Sequence, residues 1–423
     1  MRAEEDISCP RCGKPLKTGE TCPICGPLSD EWTLRGAPYI LVILIAILLA
    51  GFSVTRFAVS AYQSKQRSLA AMWYQRGMKQ MQDKQSAAKA VDDFENALAL
   101  QLENNEYRLH LSEALIQAGR LTEARAHLLS LWDQRPGDSL VNLELARLSV
   151  QRGEIDVAVR YYEGAIYGVW PSGEVPSKAR LSTRIEVATL LLENHRNQQA
   201  QSQLIAAVAE APQEFDIWQQ LGQMFLEAGD PQRSYTTLLH ARRLNPRDRH
   251  VDIALGEAAF QMNKFELASR WLYDGVYAVP EDKQAAQLLK QVNDVEAIDP
   301  FRAGLNTRDR ALRVINLYKT AFARLDQCFA SFNPPATAPN QPQAPPSIAN
   351  PFVLQAVSGM RDWSNQLKPK MTERRLRGQT DAQENAMRFV FQAEQTAQQY
   401  CALPSRPIDQ TIQLLARERW SNE

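Results

Sequence analysis

Apolar side chains follow three different rhythms along the chain. From Gly36 to Thr55, twenty residues reading GAPYILVILIAILLAGFSVT carry no charge. A helix rises about 1.5 Å per residue, so this run matches a hydrocarbon core of roughly 30 Å and predicts one membrane-spanning helix. The run starts too late, is too long and lacks a clean small-x-small exit before Arg56, so it reads as a retained anchor rather than a cleaved leader. Residues 56–70 are expected as a juxtamembrane linker. Over 71–282, apolar and small residues recur at i, i+3, i+4 and i+7 in pairs of short helices. Beyond that the stripes lengthen: a capping helix over 283–292, then 307–331 with Ala311, Ile315, Tyr318, Phe322, Leu325 and Phe329 on one face. Residues 333–351 hold seven prolines in nineteen positions and read as an extended spacer. Helices are expected again over 352–367, 384–402 and 409–419.

The middle regime repeats every 34 residues. Its clearest unit has Trp218, Leu221, Gly222, Phe225, Gly229, Leu238, Ala241 and Pro246. One period later stand Leu255, Gly256, Ala259, Leu272, Gly275 and Pro280, and one period earlier Val187, Ala188, Leu191, Leu204, Ala207 and Pro212. Two further units carry Leu111, Gly119, Ala124, Leu128 and Pro136, then Leu145, Ala146, Gly153, Ala158, Tyr162 and Ala165. A first unit holds Trp73, Gly77, Ala90, Phe94 and Ala97, making six. An eight-residue insertion near 173–180 interrupts the series, and WPSGEVPSKA around it reads as a loop. Glycine suits the left-handed end of each first helix, and proline ends each second one.

This pattern resembles the tetratricopeptide repeat. The resemblance implies an all-α solenoid whose units share a core and curl into a superhelix. It also implies a groove lined by first-helix positions, here Leu109, Glu113, Leu143, Arg147, Ile185, Thr189, Gln219 and Gln223. The Lys and Asn pattern with which some relatives clamp a C-terminal carboxylate is absent. The aliphatic and charged mixture suits an amphipathic helix or an extended segment of a protein partner. Alternatively, several of these aliphatics pack within the array or against the C-terminal helices.

Six cysteines fall into two groups. Cys9, Cys12, Cys22 and Cys25 form C-x2-C, x9, C-x2-C, and each pair can wrap one edge of a tetrahedral ion. Four thiolates suit Zn2+ and leave no open position, so the ion would be structural. Two disulfides are the weaker reading, because C-x2-C pairs favour metal or redox chemistry. The segment resembles short bacterial zinc ribbons. Cys328 and Cys401, at the ends of two amphipathic helices, are open to either a disulfide or two buried thiols.

A single span puts its flanks in different compartments, with ribbon 1–35 and anchor 36–55 on one hand and array 71–282, helices 283–332, spacer 333–351 and helical region 352–423 on the other. Trp32, Tyr39, Phe57 and Tyr62 are placed as interfacial aromatics. Basic residues near the span number two before it, Lys17 and Arg35, and four after it, Arg56, Lys65, Arg67 and Arg76, which favours a cytoplasmic array. Redox chemistry favours the opposite, because zinc thiolates persist in a reducing cytosol. The expectation adopted is ribbon inside and repeats outside, on a bacterial inner membrane.

Forty-eight basic and forty-eight acidic side chains cancel, which gives no footprint for nucleic acid. The five histidines are scattered over the repeats, and neither a phosphate-cradling glycine loop, G-x-S-x-G nor H-E-x-x-H occurs. The expected role is a non-enzymatic membrane-anchored scaffold for envelope proteins, without a small-molecule substrate. Two alternatives remain: a cytoplasmic-facing adaptor resembling lipopolysaccharide-assembly repeat proteins, in which the metal module instead follows the repeats on one side of the membrane, or a transmembrane signalling protein using the ribbon.

Overall fold

The computed structural model describes residues 7–17, 20–26, 37–83, 86–171, 176–332, 351–401 and 403–420. Trp32, Arg35 and most of the proline-rich segment lie outside them. Two compact units divide at Gly164 and Ala165.

The first unit begins with a two-stranded antiparallel hairpin, β1 (Ile7–Ser8) and β2 (Pro15–Leu16). It is followed by α1 (Ala37–Gln80), which contains the candidate span. Residues 56–70, expected as a linker, are helical throughout. No proline or glycine falls between Arg56 and Ala70, so nothing there interrupts the helix. Among the described side chains of α1, the first to be buried is Ala70. The same helix therefore leaves the apolar run and becomes the first helix of the first repeat, packing on α2 (Ala87–Leu100). Asp93, fully buried on α2, receives the Arg76 Nε at 2.8 and 2.9 Å.

Next come α3 (Asn105–Gln117), α4 (Leu121–Gln134), α5 (Ser139–Gln151) and α6 (Ile155–Tyr167). Phe94, Leu111, Leu115, Leu128 and Leu145 occupy their shared core. Burying one such side chain is worth about 1.5–3 kcal/mol, which is why pairs of amphipathic helices stack.

In the second unit, α7 (Pro176–Glu193) pairs with α8 (Asn197–Glu210), α9 (Phe215–Glu227) with α10 (Pro231–Leu244), and α11 (Arg249–Gln261) with α12 (Phe265–Ala278). Gly222 and Gly256 mark where partner helices come closest. A Cβ on either would stand 2.6 or 2.5 Å from a side-chain carbon of Leu238 or Leu272 respectively.

The expected loop 170–179 is shorter than its proline and glycine content suggests, because α7 already begins at Pro176. Proline is well suited to a first helical position, where no amide hydrogen is required.

The C-terminal part is helical as expected, with helix bounds that differ by a few residues. The capping helix α13 (Lys283–Ile298) is followed by α14 (Thr307–Phe332), α15 (Pro351–Leu367), the short α16 (Glu373–Leu376), α17 (Thr380–Tyr400) and α18 (Pro407–Trp420); α15, α16 and α17 pack on α14, and α18 packs on α13 and α17. Phe265 and Leu272 of the last repeat lie in one core with Val292, Tyr318, Leu325, Phe389 and Leu415. The segments before and after the prolines are thus parts of one body. Arg313 donates to the carbonyls of Glu296 and Asp299 at 2.8 and 2.7 Å, and Arg419 bonds the Asp299 carboxylate at 2.8 Å.

Candidate binding groove and metal centre

The four N-terminal sulfurs lie within 4.8 Å of one another, with Cys12 and Cys22 Sγ 3.6 Å apart. Two similar turns produce this. Gly13 N donates to Cys9 O at 2.9 Å and Gly26 N to Cys22 O at 2.8 Å, with φ of +71° and +72° that suit glycine. Zinc–sulfur bonds of about 2.3 Å in a tetrahedron need sulfurs just under 4 Å apart, so the donor set fits such an ion. The electrostatics agree. Amides of Ile24 and Cys25 hold the Cys22 thiol at about 6, whereas the neighbouring Cys12 and Cys22 sulfurs and desolvation push Cys25 up to about 12. Four sulfurs this close cannot all ionise without a cation among them. The four cysteines can hold a metal ion.

The groove residues separate by burial. Leu109 and Leu143 are only 8 % exposed and belong to packing. Glu113 is half-buried and bonds His110 Nδ1 at 2.8 Å, and exposed Arg147 pairs with Glu144 at 2.7 Å. Tyr74 stacks on Tyr107 at 4.8 Å beside them and donates to Glu106 at 3.0 Å.

In the second unit, Ile185 and Gln219 are half-buried, while Thr189 and Gln223 are exposed. Ile185 lines a cavity of about 430 Å³ between α7 and α9, and Thr189 and Gln223 line a neighbouring one of about 480 Å³. Gln220 borders both, so the two adjoin along the cleft between the helices. The extra turn of α7 forms part of its wall. Loop composition gave no signal of that turn.

Cys328 and Cys401 have Cα atoms 5.6 Å apart, within disulfide reach. Beneath them is a cluster that no short motif announces. Arg324 of α14, 4 % exposed, meets Asp409 of α18 and lies 3.2 Å from Glu394 of α17, and Arg406 bonds Asp409 at 2.7 Å. Among the described histidines, His240 stacks on Trp218 at 3.8 Å and bonds Gln213 at 2.9 Å.

A family described as a tetratricopeptide repeat-like domain matches residues 32–168, and a second, described as a tetratricopeptide repeat, matches 187–239. The chain carries tetratricopeptide repeats. The first match takes in the apolar stretch of α1 as well as the first repeats. No curated protein sequence matches the chain. Solved repeat structures that it resembles include YrrB, described as having an unusual peptide-binding site, at 14 % identity over 47 % of this chain and 97 % of that one, TM-score 0.37. PilW, described as a type IV pilus biogenesis factor, has 14 % identity over 52 % and 98 %, TM-score 0.38. The C-terminal part of a repeat protein from Cytophaga hutchinsonii has 11 % identity over 53 % and 84 %, TM-score 0.40. None of the three bears on what this chain binds.

Proposed function

We propose that this is a single-pass membrane scaffold whose repeats hold other proteins of a bacterial envelope, without catalysing a reaction. The observation that carries the reading is α1. One unbroken helix holds the uncharged run at one end and packs as the first repeat helix at the other. Its 14 residues from Arg56 to Leu69 would hold the repeats roughly 20 Å from the bilayer without a flexible joint. Anchoring of this kind raises the effective concentration of the repeats toward partners in the same membrane.

On this reading the ion held by Cys9, Cys12, Cys22 and Cys25 is a structural Zn2+ on the cytoplasmic side. The repeats lie outside, where Cys328 and Cys401 pair as a disulfide. The partner is a protein segment, helical or extended, docked on the first-helix face. The four basic residues after the span support the opposite orientation and the adaptor reading.

Carbonate extraction followed by protease protection in oriented membranes tests the arrangement. The protein should stay in the pellet, with Cys9 and Trp218 in opposite compartments. Release into the soluble fraction removes the anchor, and both sites on one side remove the envelope-scaffold role. Crosslinking in native membranes followed by affinity capture then identifies the partner.

A further inference from the structure

The cleft between α7 and α9 differs from what the other repeats can form. The first helices α3, α5, α9 and α11 are each 13 residues long, whereas α7 has 18. The additional length is more than one turn at its N-terminal end, where the insertion enters. Ser177 and Lys178, in that extra turn, line the cavity of about 430 Å³ together with Leu181, Ile185, Pro212 and Ile217. The surface it presents is mostly apolar, and its volume exceeds one large side chain. Ser182 is exposed at its edge.

The charge around the cleft is one-sided. Glu214 borders this cavity, and Glu193 and Glu227 border its neighbour. All three are exposed, and among the described residues none forms an ion pair. Glu210 is different, since Arg184 and Arg180 neutralise it at 3.3 and 3.6 Å. His195 aside, Lys178 is the single basic residue among the described residues lining either cavity. A ligand here gains by bringing positive charge next to an apolar group.

We propose that the inserted turn of α7 builds a socket for a large apolar side chain of an extended partner segment. The carboxylates farther along the cleft select a segment with lysine or arginine beside that side chain. This rests on the scaffold reading and names the partner's chemistry.

The test uses the full chain in lipid nanodiscs and fluorescein-labelled peptides read by anisotropy. One peptide carries a Trp-Leu pair followed by two lysines. A second has glutamates for the lysines, and a third has alanines for the Trp-Leu pair. The lysine peptide should bind about tenfold more tightly than either control. Ser182→Trp, at an exposed position, should fill the socket and remove that preference with unchanged helicity. Ile217→Gln should weaken binding similarly, and the double change Glu193→Gln with Glu227→Gln should flatten its salt dependence. No binding, no preference, or a preference that survives Ser182→Trp overturns the proposal. Self-association that Ser182→Trp abolishes would assign the cleft to a second copy and overturn it too. If a crosslinked native partner is captured equally by the wild type and by Ser182→Trp, the scaffold reading stands and the socket alone falls.

Discussion

The turn between the two helices of a repeat shows how closely single residues are specified. Gly119, Gly153 and Gly229 occupy it with φ of +77°, +73° and +74°, while His195 and Asn263 hold the same place at +57° and +58°. The residue after each donates to the carbonyl five positions back, as Arg120 N does to Leu115 O and Arg196 N to Leu191 O. The left-handed backbone is thus demanded by the turn whatever the side chain, and a non-glycine there costs about 1 kcal/mol. His195→Gly should therefore raise the thermal midpoint, stabilising the array by about 1 kcal/mol in urea unfolding. Gly222→Ala should act oppositely, because its Cβ would meet Leu238 at 2.6 Å; loss of 1–3 kcal/mol, about what overpacking costs, is expected from the same measurement. Four opening turns have a side-chain cap, whereas Glu214 before α9 makes none. Asn104, Asp138, Asp248 and Asp282 accept from amides at the start of α3, α5, α11 and α13. Their 34-residue spacing, 104 to 138 and 248 to 282, was available in the sequence beside the apolar pattern.

Among the elements, α14, α17 and α18 depend on buried charge. Burial and the charge of Asp409 push the Glu394 carboxyl up to about 7, against the pull of Arg324 and Arg406. Among the described residues neither of its oxygens accepts a hydrogen bond. Burial likewise raises Glu418, to about 6. A carboxyl whose folded pKa is raised contributes stability below its unfolded value, and that contribution is lost as pH rises through the folded one. The C-terminal helices should accordingly resist urea better at about pH 5.5 than at about pH 8, and Glu394→Gln should remove the larger part of that difference. Below about pH 4 the trend reverses. Although burial raises the Asp409 carboxyl, hydrogen bonds from Arg406 and the charges of Arg324 and Arg406 bring it below its usual range, and acid removes their contribution. Urea melts across pH followed by a tryptophan signal from Trp363 check both arms.

At the scale of the molecule, the two cysteine groups should respond to different reagents. Under the proposed arrangement, closing the 73-residue span between Cys328 and Cys401 stabilises by about 4 kcal/mol in the chain-entropy treatment, so Cys328→Ser should lower the stability of the C-terminal body by up to that amount. A non-reducing gel shift should vanish with it. Chelation should leave that body unchanged while releasing the bound ion and exposing the thiols of Cys9, Cys12, Cys22 and Cys25 to alkylation. If chelator and reductant act on the same unfolding transition, the separation of the two chemistries fails.

Repeats, apolar run and cysteine spacing could be read directly, because each is written in neighbouring residues: a helical period, an uncharged length, two C-x2-C pairs. The sequence by itself therefore determined the repeat architecture, the length of the uncharged run and the four metal-ligand candidates. Tertiary structure decided what depends on distant partners. It joined α14 to α15, α17 and α18 across the proline-rich stretch, because Tyr318 and Phe389 share one interior although 71 positions apart. It sorted the groove candidates by position within the repeat: Leu109, Leu143, Ile185 and Gln219 are buried or half-buried, whereas the next groove position holds exposed Arg147, Thr189 and Gln223 and half-buried Glu113. It also converted part of an apparent loop into the extra turn of α7, because a helix already paid for by its packed residues extends at little further cost once Pro176 can begin it.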